Sequence, residues 1–411
     1  FNYPNLMKAF SDIHQPPDLD SAANARERLT FDEALLLQLL LGQRRNEIVK
    51  LVTKSRTPNT PVLVAAFEAK LPFKYTAGQI EVNAQIEKDL SNKYPMHRLL
   101  QGEVGSGKTV VALRAMLSVV DSSGQAALLA PTEVLAQQHF RTIKKLLGEL
   151  AQAGTLQAGS IGTEVELLTG SLSTAEKKEI HAKLASGQTG IVIGTHALIS
   201  DGVTFADLGL VVVDEQHRFG VEQRDALRMK AKQPPHLLVM TATPIPRTVA
   251  MTVFGDLDIS TLKELPSGRV AITTHIIPVL EKPHFLNRAW ARVKEEVAKG
   301  HQVYIVAPRI VNPGKKLTER EIIAAQLLGE EYLDNEQMSA VEELAPELAS
   351  GELSGLKIAT LHGRQSSDLK EQTMVAFAKG EIDVLVATTV IEVGVDVANA
   401  SMMVIMDADR F

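Results

Sequence analysis

Downstream of Leu71, short apolar runs alternate with longer stretches in which apolar residues recur at helical spacing. Residues 126–130, 191–193, 210–213 and 237–240 are nearly continuous in apolar character and too short for helices. That pattern predicts strands of a parallel sheet covered on both faces. Arg98-Leu99-Leu100 predicts a further strand, with a helix over 110–120. After the break at Pro266-Ser267-Gly268 a second block predicts strands at 303–307, 357–361, 383–387 and 402–406. The acidic, helix-rich stretch 312–355 reads as a surface-facing insertion. Upstream the pattern differs. Pro16-Pro17-Asp18 makes a stop, and a long helix is expected over 22–52 with Asp20 or Ser21 as its cap. Leu29, Leu36, Leu37 and Leu40 would form its packing face, opposite Arg26, Glu27, Arg28, Asp32 and Glu33. It reads as a packing or spacer helix, followed by a polar linker at 55–61. The chain therefore divides into a helical segment at 1–70 and two α/β blocks at 71–265 and 266–411.

The two blocks are related. Gly170 and Gly363, Lys177 and Lys370, Gly187 and Gly380, Thr195 and Thr388, and Asp214 and Asp407 are each separated by 193 positions. Apolar runs coincide at the same offset, so the blocks read as two lobes of one fold.

Composition narrows the class without naming it. The 411 residues are 45% hydrophobic and 22% charged, ordinary for a soluble globular chain long enough for two or three cores. The richest apolar run, 34–41, contains Gln38 and falls far short of the roughly 18 residues of a membrane span. No membrane association is expected, and no secretory signal is present. The absence of cysteine excludes disulfides and thiolate metal sites and fits a cytoplasmic location. With 43 basic and 49 acidic residues the net charge is −6, which argues against nucleic-acid binding over the whole surface. A local groove in which backbone N–H groups and hydroxyls hold phosphates remains open. The chain begins at Phe1 and stops after Asp409-Arg410, so it is expected to be a piece of a longer protein.

The chemistry centres on Gly102-Glu103-Val104-Gly105-Ser106-Gly107-Lys108-Thr109, which fits the phosphate-binding loop G-x-x-x-x-G-K-[ST] in full. Its glycines let backbone N–H groups turn toward phosphate oxygens, Lys108 can reach the β and γ phosphates, and Thr109 can offer a hydroxyl to Mg²⁺. Asp214-Glu215 closes an apolar strand, placing Asp214 to hold Mg²⁺ and Glu215 to deprotonate a water. The second lobe has no such loop, and Asp407 is followed by Ala408. ATP is thus expected on the first lobe. Thr195 and Thr388 sit at equivalent strand ends and read either as turn residues or as paired phosphate contacts to a nucleic-acid strand.

These residues, with Ala130-Pro131-Thr132-Glu133, Leu168-Thr169-Gly170-Ser171, Gly194-Thr195-His196, Thr241-Ala242-Thr243-Pro244 and 387–396, resemble in order the motifs of superfamily 2 helicases and translocases. The resemblance runs from about residue 71 to the end. It implies two tandem RecA-like parallel-sheet lobes (the P-loop NTPase fold) with ATP between them, preceded here by a helical segment. Within the superfamily, Asp214-Glu215-Gln216-His217-Arg218-Phe219-Gly220 and Thr388-Thr389-Val390-Ile391-Glu392-Val393-Gly394-Val395-Asp396 are most similar to the bacterial branch-migration helicases. Ala25-Arg26-Glu27-Arg28-Leu29 resembles the helical segment ahead of their motor. The transcription-repair coupling factors share much of this pattern but usually carry a bulky aromatic at the place of Ser106 and Glu at that of Gln216.

The resemblance implies roles residue by residue. Phe73 and Gln79 correspond to the adenine-recognising segment, although Phe73 reads equally as core packing. Gly102, Gly105, Ser106, Gly107, Lys108 and Thr109 bind nucleotide, joined by Gly394 and Asp396 from the second lobe. Pro131, Thr132, Thr169, Gly170, Thr195, His196, His362 and Thr388 correspond to strand-tracking positions, and His217, Thr241 and Thr243 to residues coupling hydrolysis to movement. The expected activity is ATP- and Mg²⁺-dependent translocation on duplex or branched DNA by a monomer, in repair and recombination, with a single-stranded-DNA-binding protein as a further partner. Alternatives are a translocase of the transcription-coupled type or, for this stretch alone, a nucleotide-binding module with little turnover. Arginine fingers after Phe411 and a fork-splitting wedge before Phe1 are likewise expected from the resemblance.

Overall fold

The computed structural model describes residues 3–58, 60–151, 161–200, 202–214, 230–242, 257–264, 272–279, 281–310, 339–388, 397 and 399–410. The chain forms two compact units, Phe1–Val270 and Ala271–Phe411. No helix among the described residues is long and apolar enough to cross a membrane.

The first unit opens with helices α1 (Leu6–His14) and α2 (Leu19–Lys50). The cap of α2 is Asp18, whose side chain accepts the Ser21 N–H at 2.7 Å, not Asp20 or Ser21 as the sequence suggested. Asp20 instead lies in the first turn, where its charge suits the helix dipole. The expected packing face is also corrected. α2 buries Ala25 and Leu41, while Leu36 and Leu40 are 63% and 53% exposed. The short α1 is the described helix that packs along it, and its nine residues cannot cover a face of 32.

The stretch expected to be a polar linker starts with a clamp. Arg56 is buried and grips Asp207 through both terminal nitrogens, and a Cβ at either Gly124 or Gly209 would collide with its guanidinium. Just upstream, Thr53 donates to the Pro234 carbonyl at 2.6 Å, and its N–H bonds the Lys93 carbonyl. The chain after α2 is thus tied into the first core. Helices α3 (Val62–Lys70) and α4 (Ala77–Leu90) follow; α4 begins with a capping box between Thr76 and Gln79.

The first sheet has seven strands: β1 (His97–Gly102), β2 (Gln125–Leu129), β3 (Glu164–Leu168), β4 (Thr189–Gly194), β5 (Leu208–Asp214), β6 (His236–Thr241) and β7 (Asp258–Leu262). Their order is β3-β4-β2-β5-β6-β1-β7, and every pairing is parallel. β2, β4, β5 and β6 are buried along their whole lengths, the reason they read as continuous apolar runs. β3 and β7, at the sheet edges, mix Glu, Asp and Ser with apolar residues and carried no such signal. Helices α5 (Lys108–Asp121), α6 (Glu133–Leu147) and α7 (Thr174–Ser186) complete the described crossovers.

In the second unit, helix α8 (His284–Ala298) precedes β8 (Gln302–Val306); α9 (Val341–Ser350), β9 (Ile358–Leu361), α10 (Ser367–Ala378), β10 (Val384–Ala387) and β11 (Ala400–Ile405) follow. The sheet order is β11-β8-β10-β9, again all parallel. Residues 311–338 lie outside the described part. α9, however, is no surface insertion: Val341, Leu344 and Leu348 pack with Trp290, Val303 and Ile305 in the core of this unit.

The two-lobe repeat is visible in hydrogen bonds. Lys177 Nζ donates to the Gly170 carbonyl at 2.6 Å, and Lys370 Nζ to the Gly363 carbonyl at 3.0 Å. Gly187 and Gly380, past the ends of α7 and α10, have φ of 81° and 76°. Gln125, at the start of β2, donates to the carbonyls of Leu184 and Thr189; Gln302, at the start of β8, donates to those of Phe377 and Ile382. These carbonyls are again 193 positions apart, although the two glutamines are not.

Candidate functional site

Because all strands of the first sheet are parallel, their carboxyl ends share one edge. That edge brings together Gly102, the residues after β2 (Pro131 and Thr132), Thr169 and Gly170 after β3, Thr195 and His196 after β4, Asp214 at the end of β5 and Thr241 at the end of β6. Open α/β sheets bind ligands at this edge. Thr169, Thr195 and Thr241 are buried, and His196 is exposed.

The phosphate loop joins β1 to α5. Gly105 and Gly107 have φ of 83° and 89°, which a side chain would strain. No side chain caps α5, so its N-terminal dipole end faces the loop. Ser106 N–H closes the turn on the Glu103 carbonyl at 3.1 Å. Ser106 Oγ is buried beneath the loop, where a Cβ on Gly102 would meet it. Lys108 Nζ bonds the carbonyls of Gly102 and Glu103 at 2.7 and 3.0 Å, which holds its ammonium at the loop. Thr109 follows in the first turn of α5.

Gln79 is buried and supports the loop from α4. Its Nε2 donates to the Ser106 carbonyl at 2.9 Å, and a Cβ on Gly107 would collide with the same amide. Its Oε1 accepts the Thr76 N–H at 3.1 Å. Phe73, upstream of α4, is 44% exposed, which sets aside the core-packing reading. Beside it, the Thr76 hydroxyl and then the Gly78 N–H hold the Glu264 carboxyl below its ordinary value.

Asp214 is buried at the end of β5, two strands from β1 in the sheet. His139 of α6 bonds its Oδ2 through Nε2 at 2.6 Å. α6 itself starts at the expected strand-contacting loop: Thr132 caps it by accepting the Leu135 N–H. Glu133 reaches across to accept the Ser171 N–H at 3.1 Å, joining the loops after β2 and β3. His139, Glu133 and the two lysines that brace Gly170 and Gly363 were missed in the sequence. The lysines stood in the repeat without a role; for His139 no local signal existed, because its partner lies 75 residues away.

In the second unit, His362 and Thr388 follow β9 and β10 and are buried. The Thr388 N–H bonds the Leu361 carbonyl, as the Thr195 N–H bonds that of Leu168. Glu215, His217, Thr243, Gly394 and Asp396 lie outside the described residues.

Two parallel sheets of this kind, one carrying a phosphate loop with an acidic residue at the same edge, have the architecture of P-loop NTPases. The DEAD/DEAH box helicase family pattern matches residues 76–252, and the helicase conserved C-terminal domain matches residues 288–410. The chain belongs to the RecG family of DNA helicases. It is 52% identical to the ATP-dependent DNA helicase RecG of Mycobacterium leprae over 406 residues, which is 98% of this chain and 53% of that protein. It is 39% identical to the Bacillus subtilis protein of the same name, covering all of this chain and 55% of the relative. A solved structure of RecG bound to a three-way DNA junction superposes with a TM-score of 0.75 at 35% identity, over 96% of this chain and 47% of that one. The chain therefore spans about half the length of these relatives.

Proposed function

We propose that this chain is the ATP-driven motor of a DNA translocase that remodels branched DNA, such as stalled forks and four-way junctions, in repair and recombination in the bacterial cytoplasm. The observation that carries the reading is the phosphate loop with Asp214 at the same sheet edge, beside strand-end loops built alike in both units. A relative that shares 35% identity is bound to a three-way junction, which favours branched DNA as substrate.

The residues fit Mg²⁺-ATP. Two left-handed glycines and an uncapped helix suit a phosphate chain, and the Thr109 hydroxyl and Asp214 carboxylate are hard oxygen donors suited to Mg²⁺. Thr109 and Asp214 would hold the cation, which would supply positive charge against the charge that develops on the phosphates. Lys108 would stabilise the transferring phosphoryl group, and Glu215 would orient and deprotonate the attacking water. Phe73 offers an exposed ring to stack on adenine, while Gln79 shapes the loop. Gly394 and Asp396 would contribute γ-phosphate and ribose contacts. Thr132, Thr169, Gly170, Thr195, His196, His362 and Thr388 would hold backbone phosphates, so little base preference is expected.

The test is Lys108→Ala in the intact protein. DNA-stimulated phosphate release should fall by at least about 100-fold, the scale of losing one charge-stabilising donor. Unchanged release would refute the assignment.

A further inference from the structure

Helix α6 spans two features that the proposed function treats separately. Its first turn follows Pro131 and Thr132, and two turns later His139 bonds the carboxylate of Asp214. A carboxylate only accepts, so Nε2 carries the proton and donates. Both side chains are 12% exposed, so water competes little for this bond. Leu135, Ala136, Ile143 and Leu147 bury the other face of α6, and the helix packs against β3 and β4, whose ends carry Thr169 and Thr195. Glu133 ties the same helix to Ser171. One rigid element therefore touches the strand-contacting loops at its start and the acidic residue in its middle.

We propose that His139 is a positioning residue for the ATPase centre: it fixes the orientation of Asp214 and links it, through α6, to the loops that contact the nucleic-acid strand. The proposal rests on the reading of Asp214 as the residue that holds the divalent cation. Groups that orient metal ligands from behind typically contribute 10–100-fold in metal affinity or activity. DNA that engages Thr132 and Gly170 would bias the position of α6, and His139 would pass that bias to Asp214.

The experiment uses the intact protein and compares His139→Phe, which keeps a ring and removes the donor, with His139→Gln, which can place an amide N–H near the position of Nε2. ATP turnover and, separately, binding of a fluorescent ATP analogue are measured against Mg²⁺ concentration, with and without a branched DNA, and thermal melting checks folding. For His139→Phe the half-saturating Mg²⁺ should rise about tenfold, and the stimulation by DNA should shrink. His139→Gln should restore most of both. Wild-type Mg²⁺ dependence and DNA stimulation in a folded His139→Phe protein would overturn the proposal. So would equal loss in the two variants, which would mark packing as the role. If His139→Phe fails to fold, His139→Gln decides: a Mg²⁺ curve displaced as far as that of a folded His139→Leu protein overturns it. Asp214→Asn in the same assay separates the two layers. If its Mg²⁺ dependence is normal, the cation assignment of Asp214 fails. If only the His139 variants are normal, the positioning role alone fails.

Discussion

Among the described residues, the second sheet repeats four of the seven strands of the first. Its order β9-β10-β8-β11 matches β3-β4-β2-β5 strand for strand, down to the glutamine that bonds two carbonyls at the entry of β2 and of β8. What the first sheet has in addition is β6-β1-β7, and the phosphate loop follows β1. Among the described residues the second unit has no counterpart of these three strands. The shared half carries the strand-end loops at Thr169 and His362 and at Thr195 and Thr388, with Asp214 at the end of β5; the unshared half carries the phosphate loop. Even a position common to both has diverged. Asp214 bonds His139, whereas Asp407 sits at φ 47° and accepts the Ser339 N–H at 2.7 Å, serving the chain's own turn. The two copies thus keep the same strand-end loops, while only the first carries a phosphate loop.

The two lobes should differ most in activity. Glu215→Gln in the intact protein should lower turnover by about 10²–10⁴-fold while leaving nucleotide binding in place, as expected for loss of a general base. Ala408→Glu, the reciprocal change, should leave turnover at the parent level, because no phosphate loop serves that lobe. A new ATPase activity from Ala408→Glu would show that the asymmetry lies in one residue, not in the strands.

Stability should respond in both units. Gln125→Ala and Gln302→Ala each remove two side-chain bonds to backbone carbonyls, at about 0.5–1.5 kcal/mol per bond. Denaturant unfolding should find the larger loss for Gln125→Ala, because Gln125 Oε1 also accepts the Asp207 N–H at 3.1 Å; equal losses would mean that this third bond carries no weight.

Acid should separate the units. Burial pushes His236, at the start of β6, down to about 4. Its unfolded form takes up a proton at higher pH than the folded form, so the first unit should lose stability as pH falls from about 6.5 toward 4. In the second unit the Glu296 carboxyl is held down to about 2 by hydrogen bonds from His301, Lys299 and Ser401. Its contribution is present above the ordinary carboxylate range and is lost only as pH falls toward 2. His236→Gln should flatten the first transition and leave the second in place, monitored by circular dichroism across pH.

The smallest effect is expected at the paired lysines. Lys177→Met and Lys370→Met remove exposed bonds to Gly170 and Gly363, and each should change stability by about 1 kcal/mol or less. Their effect on DNA affinity, read by fluorescence anisotropy, should be equal. Loss in one lobe alone would show that the two grips are not equivalent.

Much of this architecture was legible in the chain. The phosphate loop, the central strands and the 193-residue offset are local patterns or repeats of them, and turn glycines and apolar runs report backbone conformation directly. The edge strands β3 and β7 were not legible, because half-covered strands tolerate Glu, Asp and Ser. The cap at Asp18 was missed because Asp20 and Ser21 offer the same chemistry two and three residues on, and only the path of the chain chooses among them. The support that Gln79 gives the phosphate loop, through its capping box and its bond to the Ser106 carbonyl, was not legible either, because it joins residues 27 apart in the chain.

One phosphate loop, two related lobes and an acidic pair on only one of them follow from residue types at short spacings and from one constant offset of 193 positions. The tertiary structure alone decided that Arg56 anchors the helical segment to Asp207, 151 residues away, that α9 belongs to a core, and that His139 stands behind Asp214. Those contacts join residues far apart in the chain. They depend on which helix crosses which strand, and that is set by the burial of whole faces, not by any pattern along the backbone.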